Sequence, residues 1–371
     1  MNDRQTKTFL ITSTIVFTIT VLLVVGYFLR QTVQITPNAT ADEVTNVAII
    51  EQKPTSPIFI EQAPTSTGIQ PTTTTILFVG DIMLDRNVQA RTDASKNPSY
   101  PFAKLPLRWF ENFDYAVANL EGPVTDQRRS PVKSIDFLFR PEWLKVLVSE
   151  GIDAVSQANN HAFDQGRIGF EDSRKRLTAE GILAFGEQVE DGDIALGTAT
   201  IGDTKVAFLG WNSTDNPVIR KDAEAVIAKA KEQNDLVIAY LHWGTEYRAQ
   251  PDASSVELAH WLIDQGVDVV IGGHPHWSQG ASTYKGKPIL WALGNFIFDQ
   301  DWSEETRYGL AASLVVVEKK VVGIDLYPVR IDLSQPHLLE GEQKRLRLEE
   351  LAKRSDLELA DGVRSGRIIL K

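Results

Sequence analysis

Two histidines separated by a single proline, His274-Pro275-His276, follow the apolar run 267–271 and its Gly272-Gly273 end. A strand feeding such a turn can aim two imidazoles at one point. The chain has six histidines, and two others stand in similar places: His161 in Ala158-Asn159-Asn160-His161, and His242 in Tyr240-Leu241-His242-Trp243-Gly244. Two carboxylates also close apolar runs, Asp81 after Phe78-Val79-Gly80 and Glu121 after Ala118-Asn119-Leu120. Neutral imidazole plus carboxylate, in a chain with no cysteine, is the ligand set of Zn²⁺, Mn²⁺, Fe and similar ions.

These residues need elements that bring them together. Short apolar runs predict strands over 75–80, 114–119, 135–139, 153–158, 182–185, 197–201, 204–210, 235–241, 267–272, 288–293, 311–318 and 321–329. Amphipathic stretches predict helices over 102–112, 141–150, 167–180, 220–233 and 253–265. Strands alternating with helices imply βαβ units, and the adjacent runs 311–318 and 321–329 read as an antiparallel hairpin, so the class is mixed α/β. In open α/β sheets ligands collect at the carboxyl ends of the strands. Five separate runs each deliver a ligand-type residue there: Asp81, Glu121, the Asn159-Asn160-His161 group, His242, and the His274/His276 pair. The charged stretch 339–356 predicts a solvated surface helix.

Six ordered blocks resemble the motif series of the poly-γ-glutamate capsule-synthesis proteins of the CapA type. They are Gly80-Asp81-Ile82-Met83-Leu84-Asp85-Arg86, Asn119-Leu120-Glu121-Gly122-Pro123, Ala158-Asn159-Asn160-His161-Ala162-Phe163-Asp164-Gln165-Gly166, His242-Trp243-Gly244-Thr245-Glu246-Tyr247, Gly273-His274-Pro275-His276 and Leu293-Gly294-Asn295-Phe296-Ile297-Phe298-Asp299-Gln300. That family is similar to the calcineurin-like metallophosphoesterases, so the resemblance implies a sandwich of two mixed β-sheets flanked by helices. It also implies one or two divalent ions of the Mn, Zn or Fe type. Glu121 takes the bridging position, Asp81 and His276 complete one ion, and Asn160, His242 and His274 complete the other. His161 takes the place of the histidine that assists a leaving group, with Asp164 as its orienting carboxylate. Arg86 is the candidate for a substrate carboxylate or phosphate, with Glu246 and Asn295 as further substrate contacts; Glu246 could instead cap a helix, and Asn295, after an apolar strand, could hydrogen-bond the histidines. The chain departs from the superfamily's Asp-x-His motif, having Met83 where a histidine ligand would stand. Thioether is a poor ligand for such ions, so the first ion is expected to be weakly held, absent, or helped by Asp85. An acidic residue expected after Asn-His is Ala162 here.

The remainder of the chain sets the context. Thr8 to Leu29 carries no charge, with Arg4 and Lys7 before it and Arg30 after. About 22 residues at 1.5 Å each span roughly the 30 Å of a hydrocarbon core. The flanking charges predict a cytoplasmic N-terminus and an exported remainder. A cleaved signal peptide is the rival reading, but the apolar stretch is long and Arg30 closes it. The expected organisation is a cytoplasmic 1–7, a transmembrane anchor over 8–30, a Thr/Pro-rich linker over 31–74, the chemical domain over 75–335 and a helical tail over 336–371. A single-pass protein of the cell membrane with its C-terminal domain outside the cytoplasm follows. The net charge of −11 repels phosphate backbones, which argues against nucleic acid as a partner. Two functions fit: a metal-dependent hydrolase or transferase acting on an anionic polymer or phosphoester, or a non-catalytic polymer-binding component of a capsule-synthesis complex.

Overall fold

Apolar residues on both sides of most strands oblige each sheet to be covered on both faces. In the computed structural model, which describes residues 72–131, 133–186 and 196–370, two mixed sheets pack face to face with helices outside them. The described residues belong to one compact unit, Gly68–Lys371. The first sheet holds β1 (Thr73–Ile82), β2 (Tyr115–Leu120), β3 (Ala154–Ser156) and β4 (Leu183–Phe185), all parallel. The second holds β5 (Leu196–Ile201), β6 (Thr204–Asn212), β7 (Leu236–His242), β8 (Val269–Gly273), β9 (Ala281–Tyr284) and β10 (Lys287–Leu290), in the order β5-β6-β7-β8-β10-β9. The chain then returns to the first sheet with β11 (Asn295–Ile297), β12 (Tyr308–Val317), β13 (Lys320–Asp332), β14 (Gln335–Leu338) and β15 (Arg367–Ile369). β12 runs antiparallel to β1, and β12 and β13 form the hairpin that the adjacent apolar runs predict.

The helices are α1 (Arg86–Ser95), α2 (Trp143–Glu150), α3 (Gly166–Ala179), α4 (Arg220–Gln233), α5 (Ala253–Gln265), α6 (Gly341–Lys353) and α7 (Ala360–Ser365). In α4, Ala223, Val226, Ile227 and Ala230 recur at helical spacing and pack on the outer face of the second sheet. α5 starts where Asp252 Oδ1 accepts the Ser255 N–H at 2.8 Å and stops at Gly266 with φ +113°.

Strand alternation decides what faces the gap between the sheets. In β7, Leu236, Ile238 and Tyr240 enter the inter-sheet core, while Val237, Ala239 and Leu241 face α4 and α5. His242, two residues past Tyr240, therefore points between the sheets. In β1, Ile76 and Phe78 face inward and Leu77 and Val79 outward. Strict alternation would turn Asp81 outward. Instead the register slips: Phe78 pairs with Val117 but Asp81 with Asn119, so β1 spends one residue more than β2. That irregularity rotates Asp81 toward the second sheet.

Several expectations are corrected. Residues 135–139 form no strand and make only an isolated bridge, Val124 to Phe139. Their backbone is held by side chains: the Phe137 N–H donates to Asp164 Oδ2 (2.7 Å) and the Leu138 N–H to Asp85 Oδ2 (2.9 Å). The helix expected over 102–112 is two short 3₁₀ turns, Tyr100–Phe102 and Trp109–Asn112. Pro106 lies between them, where it disfavours α geometry at Leu105. The stretch after 336 is no solvated appendage. α6 and α7 put Leu348, Leu351, Ala352 and Val363 into the inter-sheet core, and β15 pairs with β13. Helix α1 escaped the sequence reading because it is polar, with only Val88 and Thr92 buried. The expected anchor (8–30), the cytoplasmic 1–7 and the linker up to residue 71 lie outside the described residues. Among the described residues, no helix is long and apolar enough to cross a membrane.

Candidate metal centre

The carboxyl ends of β1 and β2 in one sheet and of β7 and β8 in the other meet at a single buried cluster. Oxygen or nitrogen atoms of Asp81, Glu121 and His242 lie within 4.8 Å of one another. Asp81 is fully buried. Its Oδ1 accepts from Asn119 Nδ2 (2.8 Å) and its Oδ2 from the His274 backbone N–H (3.2 Å). Gly273 permits this closeness, since a Cβ there would sit 2.8 Å from Asp81 Oδ1. His242 Nε2 lies 2.9 Å from Asn160 Oδ1 and 3.2 Å from His274 Nδ1. His276 Nδ1 lies 3.6 Å from Asp81 Oδ2 and 2.9 Å from Asn295 Oδ1.

The turn that carries the two histidines is unusual. His274 and His276 have φ +91° and +57° on either side of Pro275. Non-glycine residues avoid this region unless their surroundings impose it. Here the His274 N–H is held by Asp81, and the Pro275 carbonyl accepts the Tyr247 N–H at 2.9 Å. The Tyr247 ring then stacks over His276 with centroids 5.9 Å apart.

A second arrangement flanks the cluster. His161 Nδ1 lies 2.6 Å from Asp164 Oδ2. Asp164 also accepts Lys133 Nζ at 2.8 Å and the Phe137 N–H at 2.7 Å. Burial alone would raise Asp164, but His161, Lys133 and the Phe137 N–H outweigh it and hold the carboxyl below its ordinary range. Burial lowers His161 despite Asp164. The pair is thus a neutral imidazole donating Nδ1–H to a carboxylate, which leaves Nε2 as a base.

The donor set suits a divalent cation. Glu121 is buried, and its Oε2 has no hydrogen-bond partner among the described residues. Burial first, then Asp81, push its carboxyl well above the usual value. Burial alone would lower His276, but Glu121, Asp81 and Glu246 hold it up to about 9. Both shifts mean that the metal-free cluster keeps a proton at neutral pH, which a cation would displace. Burial, then His276, lower His274 to about 4, and burial, then His274 and His276, depress His242.

These shifts predict a stability maximum near pH 6.5 for chelator-treated protein, the ordinary histidine value. As pH falls from 6.5 toward 4, unfolded His274 takes up a proton that the folded ring refuses, so stability drops. Depressed His242 and His161 act the same way, and the raised Glu121 acts against them. As pH rises from 6.5 toward 9, the folded chain keeps the His276 proton that the unfolded chain has lost, and stability drops again. His274 on the acid limb and His276 on the alkaline limb each contribute roughly 3 kcal/mol. Urea midpoints across this range check it, and a flat profile would contradict the assigned burial.

The other expected residues fall as follows. Met83 is buried in the outer core, and its Sδ accepts the Asp85 N–H at 3.1 Å. Asp85 is not a substitute ligand: it caps α1, accepting the Arg86 N–H at 2.7 Å and the Leu138 N–H. Arg86 pairs with Asp299 and packs over Phe137 and Phe298, with its side chain 35% exposed. Glu246 Oε1 lies 4.0 Å from His276 Nε2 at the open side. Asn295 is fully buried, and its Nδ2 donates to Gln300 Oε1 (3.1 Å) and the Thr306 carbonyl (2.9 Å). Its Oδ1 meets His276 Nδ1 at 2.9 Å, the contact with a histidine that its place after an apolar strand allows. Trp243 and Trp291 belong to the outer core of the second sheet. Sequence reasoning assigned no role to Asn119 or Lys133. Asn119 had a signal, a polar residue inside the apolar strand β2 and two positions before Glu121.

Comparison with known proteins matches residues 75–300 to the family described as bacterial capsule synthesis protein PGA_cap. The PGA biosynthesis protein CapA of Bacillus subtilis (strain 168) is 30% identical over 298 residues, covering 75% of this chain and 78% of that protein. The capsule biosynthesis protein CapA of Bacillus anthracis is 28% identical over 284 residues, covering 71% and 68%. Among solved structures, the 5'-nucleotidase from Candida albicans SC5314 aligns with a TM-score of 0.41 at 11% identity, over 70% of this chain and 52% of that one. So low a score carries no weight for function. On the family match and the relatives' coverage, this chain belongs to the bacterial capsule synthesis protein family PGA_cap.

Proposed function

We propose that this chain is a membrane-anchored, extracytoplasmic capsule-synthesis protein whose metal centre cleaves or transfers links of an anionic polymer of the poly-γ-glutamate type. The observation that carries the reading is the convergence of Asp81, Glu121 and His242 within 4.8 Å, with a buried Glu121 oxygen left without a partner. Asn160, His274 and His276 stand in contact with that group and complete the set of candidate ligands. A bound divalent cation would supply Lewis-acid polarisation at neutral pH. His161, fixed by Asp164, offers Nε2 to take up or return a proton. Arg86 and Glu246 are partly exposed charges close enough to act on Glu121. The anchor at 8–30 would hold the domain at the outer membrane face, close to a polymer being made.

The turning of Met83 into the core favours a second reading. With one imidazole fewer, the cluster would hold polymer through a single ion without cleaving it. Purified protein loaded with Mn²⁺ or Zn²⁺ and given γ-linked glutamate oligomers separates the two. Catalysis predicts shortened or transferred oligomers, and a loss of about 10²–10⁴-fold in His161→Ala at unchanged metal content. Oligomers bound but left intact by both proteins would establish the second reading. A protein that retains no divalent ion would sink both.

A further inference from the structure

We propose that helix α6 holds the His274–His276 turn in ligand geometry from outside the metal centre, through Arg347 and Arg354. This rests on the cation reading above. Arg347 is 5% exposed, in the middle of a helix whose other charges face solvent. Its guanidinium donates from Nη2 to Ser278 Oγ at 2.6 Å and from Nη1 to Glu305 Oε2 at 3.1 Å, and it lies over the Tyr308 ring at 4.7 Å. Arg354, two turns later, donates to the Ser278 carbonyl at 2.9 Å and to the same Glu305 oxygen at 3.3 Å. One helix thus grips Ser278 by both side chain and backbone.

Ser278 is fully buried and follows His276 by two residues. Glu305 precedes Thr306, whose carbonyl accepts the Asn295 amide at 2.9 Å, and Asn295 Oδ1 meets His276 Nδ1 at 2.9 Å. The two arginines therefore reach His276 along two routes, through the backbone of its turn and through the side chain that orients its ring. Burying an arginine costs stability, and an apolar residue of similar volume would be cheaper. Arg347 even leaves its Nε without a partner among the described residues. A turn with two positive-φ histidines needs such outside support, because its own backbone conformation is strained. Arg347 and Arg354 also lie beyond residues 75–300, where the family match ends. They are positioning residues, since neither touches the cation cluster.

The test uses the full chain and Co²⁺ alone as probe, read by titration and by the visible spectrum of the bound ion. Arg347→Met and Arg354→Met are expected to weaken Co²⁺ binding about tenfold or more and to shift the absorption bands, as loss of outer support does at metal sites. Leu351→Ala on the same helix is the control. It removes core packing without touching these polar groups, and should lower thermal stability while leaving affinity and spectrum unchanged. Should Arg347→Met fail to fold, Ser278→Ala severs the same link with a smaller change and is expected to alter the spectrum likewise. Wild-type affinity and spectrum in the folded arginine variants or in Ser278→Ala would overturn the proposal, as would equal changes in Leu351→Ala. A wild-type chain that takes up no Co²⁺ would instead overturn the cation reading itself, and is seen before any variant is made.

Discussion

Replacing Glu121 by glutamine is expected to abolish tight cation binding while making the metal-free protein more stable at neutral pH. The two effects share one cause. Glu121 brings a buried carboxylate to a place where Oε2 finds no partner and where Asp81 already supplies negative charge. Without a cation, ionising Glu121 is costly, which is why its carboxyl is held well above the usual value. As pH rises above the ordinary 4.5, the unfolded chain releases this proton and the folded chain keeps it, so folding loses stability. Glutamine has no proton to keep. The variant should be the more stable of the two at pH 7, with the gain vanishing below pH 4.5. Cation affinity should fall on the order of a hundredfold or more, at least matching the loss of a ligand's supporting partner. Denaturant midpoints of chelated protein and metal titrations read both quantities. A variant that loses stability at pH 7 while keeping wild-type affinity would show that Glu121 is a structural carboxylate.

Gly80→Ala is expected to cost about 3 kcal/mol or more of folding stability, at the upper end for an overpacked site. A Cβ at Gly80 would lie 1.9 Å from the Gly294 carbonyl oxygen and 2.9 Å from its carbon, both backbone atoms that no rotamer change can move aside. The strands must part there. Parting them breaks the bond from the Asp81 N–H to the Gly294 carbonyl (2.9 Å) and shifts Asn295, which holds His276. The substitution should therefore weaken cation binding as well, although residue 80 contributes no ligand atom. A variant within roughly 0.5 kcal/mol of wild type, the range of ordinary surface changes, would mean that β1 and the 293–295 segment do not approach as closely as described.

The chemical inventory was legible without coordinates because ligand-type residues end apolar runs. Asp81, Glu121, Asn160, His242, His274 and His276 each follow a strand or a strand-like stretch, and parallel strands in one sheet must place such residues along one edge. The long helices α4 and α5 were legible for a similar reason, since their apolar residues recur at helical spacing between clear stops. Periodicity had less to offer where side chains replace backbone pairing. The 135–139 run alternates like a strand, yet carboxylates from Asp164 and Asp85 hold its N–H groups. Asn295 after an apolar strand was a legible partner for the histidines, but the groups that use up its amide, Gln300 and the Thr306 carbonyl, come from a loop with no regular pattern.

Alone, the order of residues determined a mixed α/β chain of the capsule-synthesis family carrying nitrogen and oxygen ligands and no sulfur ones. Local alternation and composition suffice for that, since both are properties of neighbours along the chain. Only the tertiary structure decided which of those ligands meet. The slip in β1 turns Asp81 inward, the packing of two separate sheets brings His242 to Glu121, and Met83 goes to the core while α6 reaches back to Ser278. These outcomes depend on contacts between residues tens to hundreds of positions apart, which no local pattern encodes.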